Sequence, residues 1–228
     1  MQSILAIDTS TEITFVAVAS RDGRSAARSS EVGQHDDKLA EMVQAVLQDA
    51  KINAEELDLI GVGAGPGSFT GLRIGLSFAS GFAQGLEKPL YTMVSLKAYA
   101  EEFKAQAKVV ITLCDARRQE MFFASYRSVD LEELSTPQIV NAEELQHYLL
   151  SLEKTGVSKE DILIVSMGEV SLPQGYRTEK PKKIAAAIIS LIQNGEPPFN
   201  RDGAAALLYI RKVAAKTIAE RLLKVENS

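Results

Sequence analysis

Residues 4–8 read ILAID, and after five further residues 14–19 read TFVAVA. A short apolar run that ends in an acid, a polar turn and a second apolar run predict two paired strands. Arg21-Asp22-Gly23 then supplies the Asp-Gly signal that closes a further hairpin. The same arrangement recurs as ITLCD at 111–115 and MFFASY at 121–126. The two segments align without a gap at an offset of 107, placing Asp8 on Asp115, Phe15 on Phe122 and Ala17 on Ala124. Chance likeness of two apolar hairpins is the alternative. A duplicated unit, one lobe per half, is the expectation.

Between the hairpins the apolar period changes. Residues 35–50 carry Leu39, Met42, Val43, Val46, Leu47 and Ala50 at helical spacing. A buried strand is predicted at 57–64, a helix at 71–86, a strand at 89–94, and a helix from Ser95, as N-cap, to about 103. In the second half Asn141 caps a helix to about 152, 162–165 reads as a strand, and 181–193 and 203–223 read as helices. The fold class is therefore α/β, with mixed sheets in two lobes. The lobes are set at 1–96 and 97–228, with the last helix free to pack back on the first lobe.

The chain has 228 residues, 46% of them hydrophobic and 24% charged, as in ordinary globular proteins. No apolar run reaches the roughly 18–20 residues of a membrane span, and no secretory signal is visible at the start. A single cysteine, Cys114, makes an intrachain disulfide impossible, and a reducing, cytoplasmic setting is expected. Net charge is −5, so no overall basic field attracts nucleic acid. Residues 1–60 hold eleven acids against five bases, whereas 204–228 hold five bases, including Lys212 and Lys216, against two acids. That tail reads as a solvated helix face or as an RNA contact.

Residues 63–75, GAGPGSFTGLRIG, form a glycine-rich loop that opens into a helix. It is not a Walker A loop, because Gly71 is followed by Leu72 and Arg73 where a lysine and a hydroxyl are needed. The spacing of Gly65, Gly67 and Gly71 also misses the dinucleotide fingerprint. Ser68 as a nucleophile lacks a base, since His35 and His147 are the only histidines and neither is placed beside it. The simpler role for Ser68 or Thr70 is to accept an orphan amide at the start of the helix. A metal pair on one helix face would put a ligand four residues from His35, where Leu39 stands. His147 and Cys114 read as packing residues. Asp8-Thr9-Ser10-Thr11 resembles the D-x-G-T phosphate turn of the actin and sugar-kinase fold, with Ser10 in place of the glycine that lets backbone approach phosphate. The second turn, Asp115-Ala116-Arg117-Arg118, has no glycine either. Both acids are expected to face one cleft, without phosphate grips.

Taken together, ILAIDTST, GAGPGSFTGLRIG, DARRQEMFFASY and the terminal ALLYIRKVAAK resemble the bacterial TsaB (YeaZ) family of tRNA threonylcarbamoyladenosine biosynthesis proteins. That family tends to carry a proline shortly before the closing tyrosine, where this chain has Ala206-Leu207-Leu208-Tyr209. The resemblance implies a two-lobed actin-like ATPase and sugar-kinase fold with duplicated, ribonuclease H-like lobes. It implies a non-catalytic subunit that pairs with a catalytic paralogue, which transfers a threonylcarbamoyl group to adenosine 37 of tRNA. A small P-loop ATPase joins them. ATP and a metal are expected in those partners, with none bound by this chain. The chain alone is expected to be a homodimer that meets tRNA through the complex. Older descriptions of the wider family as glycoproteases find no support in these residues.

The helix after the loop carries Arg73, Ser77, Gly81 and Gly85 at four-residue spacing. Glycine costs roughly 1 kcal/mol in a helix interior, so such a stripe needs a compensating close contact. The contact lies either within the lobe or on a partner helix. The resemblance assigns this helix and the preceding one to the self- and paralogue-binding surface, which Met42 and Val46 would join if they point outward. The leading expectation is thus an accessory subunit. The alternatives are a free-standing ATP-dependent enzyme using Asp8 and Asp115, and an RNA-binding module built on the C-terminal helix.

Overall fold

The computed structural model describes residues 1–31, 38–199 and 206–210. The first half runs β1 (Ile4–Asp8), β2 (Phe15–Ala19), β3 (Ser25–Ser29), α1 (Leu39–Ala50), β4 (Leu59–Gly63), α2 (Phe69–Gly85), β5 (Leu90–Met93) and α3 (Ser95–Glu102). The second runs β6 (Val109–Asp115), β7 (Glu120–Arg127), β8 (Glu133–Asn141), α4 (Ala142–Lys154), β9 (Ile162–Met167), β10 (Arg177–Glu179) and α5 (Ile184–Gln193). The sheets have the orders β3-β2-β1-β4-β5 and β8-β7-β6-β9-β10. By position in the chain these are the same order. In each, the first strand pairs antiparallel with the second and parallel with the fourth. This is a two-lobed α/β fold built from a duplicated unit, as the repeated hairpins predict.

Both faces of β1 and β6 are covered, which is why these strands read as continuous apolar runs. On the outer face of the first sheet, Leu39, Val43 and Val46 of α1 pack with Leu5, Ile7, Val16 and Val18. On the outer face of the second, Leu145 and Leu149 of α4 pack with Ile111, Leu113 and Phe123. Helices α3 and α5 lie between the sheets, in a core shared by Ile4, Ala6, Leu96, Tyr99, Val110, Tyr126 and Ile188. Although α5 comes from the second half, it packs on the first sheet so closely that a Cβ at Gly61 would meet Ile192 Cδ1 at 2.9 Å. The expected boundary at 96/97 falls inside α3. Among the described residues no helix is long and apolar enough to cross a membrane.

The duplication differs from the gap-free alignment by one residue. Asp8 pairs with Phe15 across the first hairpin, whereas Phe122 pairs with Cys114, and Asp115 with Met121. Phe15, Cys114 and Phe122 belong to the core between the sheets, while Met121 belongs to the outer core of the second sheet. Side chains alternate along a strand and directly opposed residues share a face. Asp8 therefore stands on the inter-sheet face and Asp115 on the opposite face, and the counterpart of Asp8 is Cys114. The expectation that both acids face one cleft is corrected on this ground, a single residue in the turn having inverted the face.

Other expectations need smaller corrections. Ser95 is the first residue of α3, with Val94 in the cap position. His147 is exposed on α4, because the buried face is set by Leu145 and Leu149, two positions to either side. Residues 206–210 are not helical: the Leu208 amide donates to Ala64 O at 2.8 Å, across the end of β4. The rest of the expected 203–223 helix with its basic residues, and His35, lie outside the described residues. Asn141 caps α4 as expected, in a capping box with Glu144.

Candidate functional site

The turn after β1 and the glycine-rich loop after β4 are packed against one another. The loop's polypeptide returns onto the turn through Ser68 N, which donates to Ser10 O at 2.7 Å. Thr9 Oγ1 donates to Gly71 O at 2.7 Å. A Cβ at Gly67 would overlap the Ser10 carbonyl, one at Gly71 the Thr9 carbonyl, and one at Gly75 the Thr9 side chain. Glycine at 67, 71 and 75 is thus required by the close approach of the first turns of α2 to the Asp8–Thr11 turn. Ser68 caps α2, its Oγ accepting from Gly71 N at 3.2 Å, as its place before the helix predicts.

Asp8 is fully buried, with 0% exposure. Its Oδ1 accepts from Ser10 N at 3.0 Å and Ser10 Oγ at 2.6 Å, and its Oδ2 accepts from Ser95 Oγ at 2.6 Å. Ser95 Oγ in turn accepts from Gly65 N at 3.2 Å, and Ser10 Oγ lies 3.1 Å from the Tyr99 hydroxyl. A Cβ at Gly63 would overlap the carboxylate, so the strand beside Asp8 must end in glycine. Burial raises the Asp8 pKa above its ordinary 3.8, while the Ser10 and Ser95 hydrogen bonds oppose the change. Burial likewise pushes the Cys114 thiol up to about 12, which keeps it protonated and a poor nucleophile. The sequence singled out Asp8 but not its partner Ser95, nor Tyr99 behind Ser10. The one available signal was a hydroxyl at the start of α3, read as a cap.

The second turn is built differently. Arg117 N donates to Asp115 Oδ1 at 2.6 Å, and the Arg117 guanidinium pairs with Asp115 at 3.2 Å and with Glu12 of the first turn at 3.0 Å. Arg117, Arg118 and Gln119 are all left-handed, with φ of 65, 58 and 61°, a conformation that costs non-glycine residues roughly 1–2 kcal/mol each. A cavity of about 530 Å³ opens near this lobe's strand ends, lined by Ser166, Glu169 and Lys180 among others. None of its lining residues comes from the first turn.

The outer face of α2 is the other candidate. Leu72, Gly75, Ala79 and Ala83 are buried against the lobe, whereas Arg73, Ser77, Gly81 and Gly85 are all exposed. A Cβ at Gly81 or Gly85 would meet nothing within 4 Å. Of the two places a compensating contact could lie, the lobe supplies none among the described residues. Met42 and Val46 do not join this face. Both are buried on the inner side of α1, where the apolar period that made the helix recognisable also turns them to the sheet.

A model of the tRNA N6-adenosine threonylcarbamoyltransferase (TsaD) family matches residues 30–218. The chain belongs to that family. Within it, the likeness is to the TsaB (YeaZ) group. The tRNA threonylcarbamoyladenosine biosynthesis protein TsaB of Escherichia coli is 29% identical over 225 residues, covering 89% of this chain and 96% of the relative. That of Haemophilus influenzae is 33% identical over 124 residues, covering 54% of this chain and 52% of its own. YeaZ from Pseudomonas aeruginosa superposes with a TM-score of 0.67 at 22% identity, over 92% of this chain and 100% of its own. A second Pseudomonas aeruginosa structure, described as similar to peptidase YEAZ, has a TM-score of 0.71 over the same shares, also at 22% identity. The two structures bear on the fold.

Proposed function

We propose that this chain is a non-catalytic accessory subunit in the formation of N6-threonylcarbamoyladenosine at position 37 of tRNA, in the bacterial cytoplasm. It binds and stabilises a catalytic paralogue of its own family through the outer face of α2, around Arg73, Ser77, Gly81 and Gly85. ATP and the metal belong to the partner subunits, among them a small P-loop ATPase. In the absence of the paralogue the same face pairs two copies of the chain.

The observation that carries this reading is the filled turn. In a fold of this class a nucleotide's phosphates would approach the backbone after β1. Here Gly67, Gly71 and Gly75 bring the chain's own helix onto that backbone, and Asp8 is wholly occupied by Ser10 and Ser95. A carboxylate with no exposure cannot position a hydrated cation, and the second acid points to the other side of its sheet. The chain's contribution is then differential binding: it favours the active arrangement of the paralogue and so raises turnover without touching substrate. Calorimetry of the chain alone with ATP and magnesium tests this. No heat of binding is expected up to millimolar nucleotide. Saturable binding that is lost in Asp8→Ala would instead favour the free-standing ATP-dependent enzyme.

A further inference from the structure

Residues 206–210 lie across the first lobe as a short strap outside any helix or strand. Its backbone is fixed by the bond from Leu208 N to Ala64 O, 2.8 Å. Ile210 packs at the edge of the core between the sheets, and Tyr209 turns to the start of α2. There the Tyr209 and Phe69 rings lie 5.8 Å apart, Arg73 Nε donates to the Tyr209 hydroxyl at 3.3 Å, and the Arg73 guanidinium stacks 3.6 Å over the Phe69 ring.

This cluster is not a core. Phe69 is 48% and Tyr209 49% exposed, both among the exposed large apolar side chains of the described residues. Two aromatic rings and an arginine, already held in one geometry and half open to water, form the kind of patch from which interface hot spots are made. Arg73 is also the first member of the exposed row that continues through Ser77, Gly81 and Gly85. The patch and the row are therefore one face, bare of side chains at one end and tall at the other. A helix laid along it would approach the α2 backbone closely over Gly81 and Gly85 and be gripped by Phe69, Arg73 and Tyr209 at the opposite end.

We propose that the 206–210 strap is part of the partner-binding face, and that Tyr209, docked on Phe69 and Arg73, is a contact for a helix of the catalytic paralogue. The inference rests on the assignment of α2 to that interface and extends it to a segment more than 120 residues away in the chain. It commits to a protein helix because glycines at one end of the face admit another backbone, and of the described residues named on it only Arg73 is charged. Partner binding and strap docking then stabilise one another reciprocally.

The test measures the affinity of the purified paralogue from the same genome for four full-length chains: wild type, Tyr209→Ala, Tyr209→Phe and Gly81→Leu. Tyr209→Ala is expected to weaken binding at least tenfold with unchanged thermal unfolding, and Tyr209→Phe, which keeps the ring, by less than threefold. Exchange of the Leu208 amide should slow at least tenfold in the complex. If Gly81→Leu abolishes binding while Tyr209→Ala leaves affinity unchanged, the strap proposal fails and the α2 interface stands. If neither changes binding, the α2 interface itself fails. Tyr209→Ala that weakens only self-association, or only tRNA binding, also overturns the proposal, in favour of a second copy or of RNA as the occupant.

Discussion

Helix α2 and the loop that opens it carry two glycine rows with opposite fates. The inner row, Gly67, Gly71 and Gly75, is pressed onto Thr9 and Ser10, and no side chain fits at any of the three. The outer row, Gly81 and Gly85, meets nothing. The first row explains itself within the chain: it lets the start of α2 close onto the Thr9–Ser10 turn. The second places a glycine, Gly81, in the helix interior at a cost of roughly 1 kcal/mol that nothing among the described residues offsets. A helix closed on one side and open on the other is what the proposed accessory function asks of α2.

The contrast can be broken by substitution. Gly71→Ala should destabilise the chain by about 3 kcal/mol or more, since its Cβ collides with the Thr9 backbone, which cannot rotate away; urea unfolding measures this. Asp8 gives a prediction in pH. Its carboxyl is held above the ordinary 3.8 by burial, so the folded chain keeps the proton to a higher pH than the unfolded chain does. Stability from this group is then fully present below 3.8 and is lost as pH rises through the raised folded value. The loss amounts to about 1.4 kcal/mol for every pH unit that separates the folded from the unfolded pKa. Asp8→Asn should flatten that decline, read from unfolding free energies between pH 4 and 8.

On the outer row the sign reverses. Gly81→Ala should stabilise the isolated chain by about 0.5–1 kcal/mol, since helix propensity improves and space is open. Equal loss of stability at positions 71 and 81 would contradict the two-row account. The smallest effect is expected in the second lobe. Gln119→Gly relieves a left-handed residue and should stabilise by about 0.5 kcal/mol, after the entropy that glycine adds to the unfolded chain. A loss there would mean that the Gln119 side chain has a role in the turn.

Much of this was legible in the sequence. The repeated hairpins gave the duplicated lobes, and the apolar periods gave α1, α2, α4 and all the buried strands, because burial on one or two faces writes itself into the spacing. The edge strands β8 and β10 were not anticipated: β8 is largely exposed and holds Pro137, and β10 is three exposed polar residues. Edge positions lack the two-sided burial that leaves an apolar signature. The placement of Asp115 failed for a different reason. A turn one residue shorter inverts a strand's facing while leaving its composition alike, so the aligned acids gave no warning. At the site, the glycines were read correctly as a tight corner, but what they approach, Thr9 and Ser10, lies about sixty residues away. Only the fold could bring the two together. The strap was missed because its apolar residues suit a helix, whereas its amide is claimed by Ala64.

The most direct test of the account is threonylcarbamoylation of tRNA by the reconstituted catalytic paralogue, P-loop ATPase and adenylate-forming enzyme, with this chain omitted, present, or present as Gly81→Leu. The account predicts that modification requires the chain and that Gly81→Leu, although folded, fails to support it. Modification that proceeds equally well without the chain would contradict it, and would return Asp8 and the second-lobe cavity to consideration as a site of independent chemistry.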